Sequence, residues 1–164
     1  LELQEIRTIY KSTERLTVLL LIVSLPAFAM VYLYQSSGKV DWNLPQFPEF
    51  LEWTLAGVVA IILALHYVVF HRGISVARGE ADLVEKVRVY CKATRQRFWL
   101  LFIISLLATA GLLLSENPIF TLIFAVTMVF FSLGKPSPDR IARLMRLKKE
   151  DRELVRDASR PEIS

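Results

Sequence analysis

Residues 53–70 read WTLAGVVAIILALHYVVF, and residues 71–97, directly after them, read HRGISVARGEADLVEKVRVYCKATRQR. The first stretch contains no Asp, Glu, Lys or Arg, whereas the second holds seven Lys and Arg. A surface helix of a soluble protein keeps a polar face for water, and residues 53–70 have none. A helix crossing a hydrocarbon core of roughly 30 Å needs about 20 residues. With its flanking residues the stretch meets that length. It is therefore a predicted membrane span, and the basic segment after it is a predicted cytoplasmic region.

Three more runs free of Asp, Glu, Lys and Arg lie at residues 16–34, 98–114 and 119–133. The 164-residue chain is 54% hydrophobic and 22% charged, with the two classes segregated rather than interleaved. That pattern predicts an all-α, polytopic membrane protein with four transmembrane helices and cytoplasmic helical extensions. The expected spans are about 15–35, 52–71, 97–115 and 118–134, within a transmembrane domain of residues 1–134. A cytoplasmic helical pair over about 72–97 and an amphipathic tail over 135–164 complete it. The first run comes after fifteen charge-rich residues and ends in Tyr32, Leu33 and Tyr34, so a cleaved signal peptide is not expected. The chain begins at Leu1, which leaves room for sequence before it.

Charge sets the expected orientation. Segment by segment, Lys and Arg number 3 before the first run, 1 in the loop at 35–52, 7 at 71–97, none at 115–118 and 9 from Lys135 onward. Basic loops resist translocation and stay on the cytoplasmic side. Both termini and the middle segment are thus expected in the cytoplasm, and a bacterial inner membrane is the expected location.

Within residues 1–15, Leu3, Ile6, Ile9 and Tyr10 recur at helical spacing between charged residues, which predicts an amphipathic helix continuous with the first span. Pro26 cannot donate to the Ile22 carbonyl and is expected to kink that span. The loop at 35–52 carries Pro45, Pro48 and the aromatics Trp42, Phe47 and Phe50, with Trp53 just beyond, as expected of a segment lying at the outer interface. Gly79 is the expected stop of the second helix, with a new helix from near Glu80 whose apolar stripe is Leu83, Val87 and Tyr90. Asn117 and Pro118 cap and start the fourth span. Ser137, Pro138 and Asp139 begin a helix in the tail. Leu154 and Val155 either continue that helix or belong to a second short one beginning near Lys149.

These patterns mark the candidate contacts. For a protein partner or lipid they are Leu83, Val87, Tyr90, Arg88, Lys92, Arg95, Arg140 and Arg143. Ala56, Ala60 and Ala64 at four-residue spacing, with Ser105 and Thr109 on the third span, are candidates for close helix packing, within one chain or between chains. His66 lies within the second span, where an ionisable group is a candidate for function, here haem ligation or proton relay. Its bland alternative is a hydrogen-bonded imidazole near the interface. The lone Cys91 reads as a structural thiol.

The sequence contains no phosphate-binding glycine loop, zinc spacing or nucleophile elbow, and no carboxylate lies within a span. The leading expectation is a non-catalytic membrane accessory, assembly or scaffold subunit, without catalytic residues, metal or cofactor. Its expected partners are the bilayer, anionic headgroups on the cytoplasmic side, and a protein partner or a second copy of the chain. A small oligomeric channel or transporter is the alternative, and a haem or redox subunit using His66 a further one. From Lys135 on, nine basic residues are diluted by six acidic ones, so nucleic acid is not an expected partner.

Overall fold

The computed structural model describes residues 1–38 and 43–161, and within them the chain is helical with no strand. Lys39, Asp41 and Trp42 of the first loop and Glu162 of the tail lie outside the described residues. Six helices succeed one another: α1 (Glu2–Ser37), α2 (Glu49–Gly79), α3 (Leu83–Ser115), α4 (Ile119–Gly134), α5 (Pro138–Leu144) and α6 (Lys149–Ser159). The first three are long and apolar enough to cross a membrane. α4 is shorter, at 16 residues; together with α5, bent from it by 86°, it makes up to a fourth candidate span by length and composition.

Sequence chemistry accounts for the boundaries. With no Pro or Gly from residue 2 to 25, α1 runs from the charged N-terminal residues into the first apolar run, and it continues through Pro26 to Ser37. Prolines 45 and 48 delay α2 until Glu49, and the Pro48 carbonyl accepts from the N–H of Leu51 at 2.9 Å. Gly79 ends α2. Asn117 Oδ1 accepts from the Ile119 N–H at 3.0 Å, closing the turn into α4. Ser137 Oγ caps α5 by accepting from the Arg140 N–H at 3.2 Å, with Pro138 in its first turn.

The helices group into two compact units, and α1, α2 and α3 each lend residues to both. One unit comprises Leu19–His66 and Phe98–Leu133. Its interior includes Phe28 stacked on Phe124 at 3.8 Å between centroids, Phe98 against Phe131 at 5.3 Å, and Ser105 Oγ bonded to Ser24 Oγ at 3.1 Å. Gly111 sits hard against the ring of Phe120: a Cβ there would come within 2.4 Å of it. Outward-facing positions of this unit are large and apolar, with Ile22 60%, Leu33 65%, Ile61 61% and Leu122 59% exposed. So much exposed hydrocarbon on long helices is compatible with a lipid surround and unfavourable in water.

The other unit comprises Leu1–Val18, Tyr67–Arg97 and Gly134–Ser164. The tail therefore shares a core with segments of the three long helices. That core contains Ile6 and Tyr10 of α1, Phe70 and Ile74 of α2, Val87 and Tyr90 of α3, Ile141 and Met145 at α5, and Val155 and Ala158 of α6. Close approach of α2 and α3 depends on Gly73, where a Cβ would lie 2.7 Å from that of Ala93. Tyr10 Oη donates to the Pro136 carbonyl at 3.1 Å inside this unit. Burial, and secondarily the Glu14 charge, push the Tyr10 phenol up to about 12, so it remains a donor at any physiological pH. Tyr10→Phe leaves that carbonyl without its donor. We expect a loss of ~1 kcal/mol, seen as a lowered thermal midpoint by circular dichroism of the full chain.

Candidate functional site

The candidate partner contacts separate into two groups. Val87 and Tyr90 are fully buried and Leu83 partly so, all packed in the core shared by α1, α2, α3 and the tail. The apolar stripe of α3 is thus covered by the chain's own α1, α5 and α6 segments. The charged candidates stay outside. Arg88 pairs with Glu5 and Glu85 on the surface, while Lys92, Arg95 and Arg143 are exposed and Arg140 is half-buried. Exposed ion pairs of this kind contribute ~0.2–1 kcal/mol, so they orient α1 on α3 more than they stabilise it.

A groove of about 490 Å³ runs along α5 and α6, lined by Pro138, Asp139, Ala142, Arg143, Lys149, Arg152, Glu153 and Arg156. Four basic side chains against two acidic ones give it a positive balance. Among them only Arg143 belongs to the contacts expected from the sequence. Lys149, Arg152 and Arg156 recur at spacings of three and four on α6, a signal legible once α6 is taken as a helix of its own. Other basic residues are absorbed in holding the unit together. The Arg7 guanidinium donates to the Ala158 and Asp157 carbonyls at 3.4 and 3.3 Å, at the negative end of α6. Arg78 Nε donates to the Leu144 carbonyl at 2.6 Å. Within the groove, Arg152 also holds the fold, its Nε donating to the Leu147 carbonyl at 3.1 Å.

The small-residue face of α2 is only partly turned inward. Ala56 is buried, but Ala60 and Ala64 are exposed, and the inward positions of α2 in that unit are Ala56, Val59 and His66. At 3.6 residues per turn, Ala60 and Ala64 fall roughly 40° and 80° to one side of Ala56, whereas the buried Val59 and His66 fall roughly 60° and 80° to the other. Ser105 and Thr109 of α3 are buried, with Thr109 Oγ1 donating to the Ser105 carbonyl at 2.7 Å. His66 is fully buried; its Nδ1 contacts the Leu63 carbonyl and its ring meets Phe130 edge-on at 4.8 Å. His71 instead tilts against Tyr67 at 4.1 Å, so the two imidazoles have different surroundings. Among the described residues no three His, Cys, Asp or Glu side chains converge as a metal site would require.

Cys91 is buried beside Thr13, and burial pushes its thiol up to about 11. The folded chain therefore holds the proton more tightly than the unfolded one. This contribution to stability is complete below the ordinary thiol value of 9.0 and is lost as pH rises toward 11. Maleimide labelling at about pH 7.5 is expected to be slower by ~100-fold or more in the folded chain than in denaturant, since the thiolate is the reactive form. Equal rates would show that Cys91 is reachable.

Comparison with protein-family models finds no match, and comparisons with curated proteins and with solved structures find none either.

Proposed function

We propose that this chain is a non-catalytic integral membrane protein, an accessory, assembly or scaffold subunit with four spans and both termini in the cytoplasm. The distribution of Lys and Arg supports the orientation. In this reading α4 is the fourth span, and the unit made of residues 1–18, 67–97 and 134–164 is a folded cytoplasmic platform. The observation that carries the partner-binding role is the basic α5–α6 groove, with Arg143, Lys149, Arg152 and Arg156 around it. Because Val87 and Tyr90 are taken up in the core, the partner surface lies on exposed basic side chains instead. An acidic segment of another membrane-associated protein fits that chemistry.

Purification in a gentle detergent, with a photo-crosslinker placed at Arg143, tests the role. A crosslinked protein lost on charge reversal by Arg152→Glu and Arg156→Glu is the expected result. A monomer that crosslinks to nothing, or a crosslink indifferent to the reversal, sinks it. Reporter fusions at either terminus that report the outer side would refute the orientation separately.

A second reading, self-association into an oligomeric channel or transporter, is favoured by the exposure of Gly57, Ala60 and Ala64 along α2. Such a face lets a neighbouring helix approach closely. Light scattering of the detergent-solubilised chain should then give a multimer that Ala60→Leu disperses.

A further inference from the structure

Tyr90, Thr94 and Arg97 stand at spacings of four and three on α3, and so share one face of it. All three are buried, Arg97 to 4% exposure. The guanidinium carbon of Arg97 lies 4.6 Å from the centre of the Phe70 ring, and the same ring meets Tyr90 edge-on at 6.5 Å. Tyr90 Oη, Thr94 Oγ1, Arg97 Nε and, from α5, Arg140 Nε are all buried polar atoms without a hydrogen-bond partner. Thr94 is close enough to Tyr90 to act on its phenol, but the contact falls short of hydrogen-bond geometry. Arg140 is near enough for its charge to act on both Arg97 and Tyr90. Even if the two hydroxyls partly serve each other, two buried guanidinium Nε–H groups, each near enough for one charge to act on the other, lack an acceptor and call for one in a native fold.

A guanidinium does not shed its proton in a protein, so burial leaves Arg97 charged. Neither Arg97 nor Arg140 forms an ion pair with a carboxylate among the described residues. The face of Phe70 offers partial compensation. It does nothing for the repulsion between two cations, nor for the Nε donors. A bound anion resolves both, accepting from two guanidiniums and two hydroxyls. Arg140 stays partly exposed, which leaves the cluster reachable from outside. In the sequence Arg97 immediately precedes the apolar run that starts at Phe98, the depth at which lipid phosphates lie if that run spans the bilayer.

We propose that Arg97, Arg140, Tyr90 and Thr94 form a binding site for a phosphate group, carried either by an anionic phospholipid or by a soluble phosphate. The two Nε–H groups and the two hydroxyls donate to its oxygens, and the pair of guanidiniums balances its charge. The site is separate from the α5–α6 groove, whose basic residues are exposed, so either can fail without the other.

The test is thermal unfolding of the full chain in a phosphate-free maltoside detergent under three conditions: chloride alone, inorganic phosphate at the same ionic strength, and phosphatidylglycerol mixed into the micelles. A rise in midpoint of about 3 °C or more is expected with one phosphate source. It should be largely lost in Arg140→Gln and kept in Arg72→Gln, an exposed basic residue outside both the site and the groove. A shift with phosphatidylglycerol alone assigns the site to a headgroup, and one with inorganic phosphate assigns it to a soluble phosphate. No shift from either source, or an equal shift in Arg140→Gln, overturns the proposal. Should Arg140→Gln fail to fold, native mass spectrometry of the wild-type chain decides. One retained phosphate-bearing adduct per chain supports the site, and its absence overturns it.

Discussion

Replacing Gly111 by Leu is expected to lower the stability of the chain by more than ~3 kcal/mol. Even a Cβ at this position would lie 2.4, 2.5 and 2.8 Å from three carbons of the Phe120 ring. Phe120 is itself fully buried, so its ring cannot swing out of the way without disturbing its other neighbours. Two effects compete in the milder Gly111→Ala: helix propensity favours Ala by ~1 kcal/mol, and overpacking costs ~1–3 kcal/mol. Overpacking wins, so Ala also destabilises, by less than Leu. Gly57 provides the control, because nothing lies within 4 Å of a Cβ built there. Gly57→Ala should be neutral or stabilising by up to ~1 kcal/mol. Thermal midpoints of the variants in one detergent check the ordering, and a Gly111→Ala protein as stable as Gly57→Ala would refute the contact.

Val87→Asp should cost roughly 3–5 kcal/mol, the scale of an uncompensated buried charge. Val87 has no exposed surface and packs in a core with residues of α1, α2, α5 and α6. The expected readout is protease cleavage within α5 and α6 at concentrations that leave the wild type intact, with a lowered midpoint. Lys92→Asp, on the exposed side of the same helix, should fall within ~0.5 kcal/mol of wild type. The pair separates two roles for α3. If its apolar stripe were a free docking face, Val87→Asp would abolish partner capture without loosening the fold.

Arg72–Arg97 shows how far the sequence reading extends. Its charge density and its Leu83, Val87 and Tyr90 stripe predict a helix leading into an apolar run, and α3 is that helix, from Leu83 to Ser115. The Ser137–Pro138 start of α5 and the unbroken α1 are equally legible, because capping and propensity act over a few residues. The covering of the stripe is not legible, since it shares its core with residues of α1, α2, α5 and α6 that stand far from it in the chain. The alanine spacing on α2 points to a packed face, and yet Ala60 and Ala64 are exposed. Small residues permit close approach but do not decide which neighbour arrives. By sequence Arg97 counts with the loop charges; nothing in a linear count marks it as buried.

The sequence by itself determined that the chain is helical, that several of its helices are apolar enough for a bilayer, and where most of them begin and end. Those properties depend on hydrogen bonds and hydropathy within a single segment. Tertiary structure alone decided which charges stay on the surface and which are drawn inside, bringing Arg140 of the tail to Arg97 and Tyr90 of α3. Burial is a property of pairs of segments distant in the chain, and only packing brings them together.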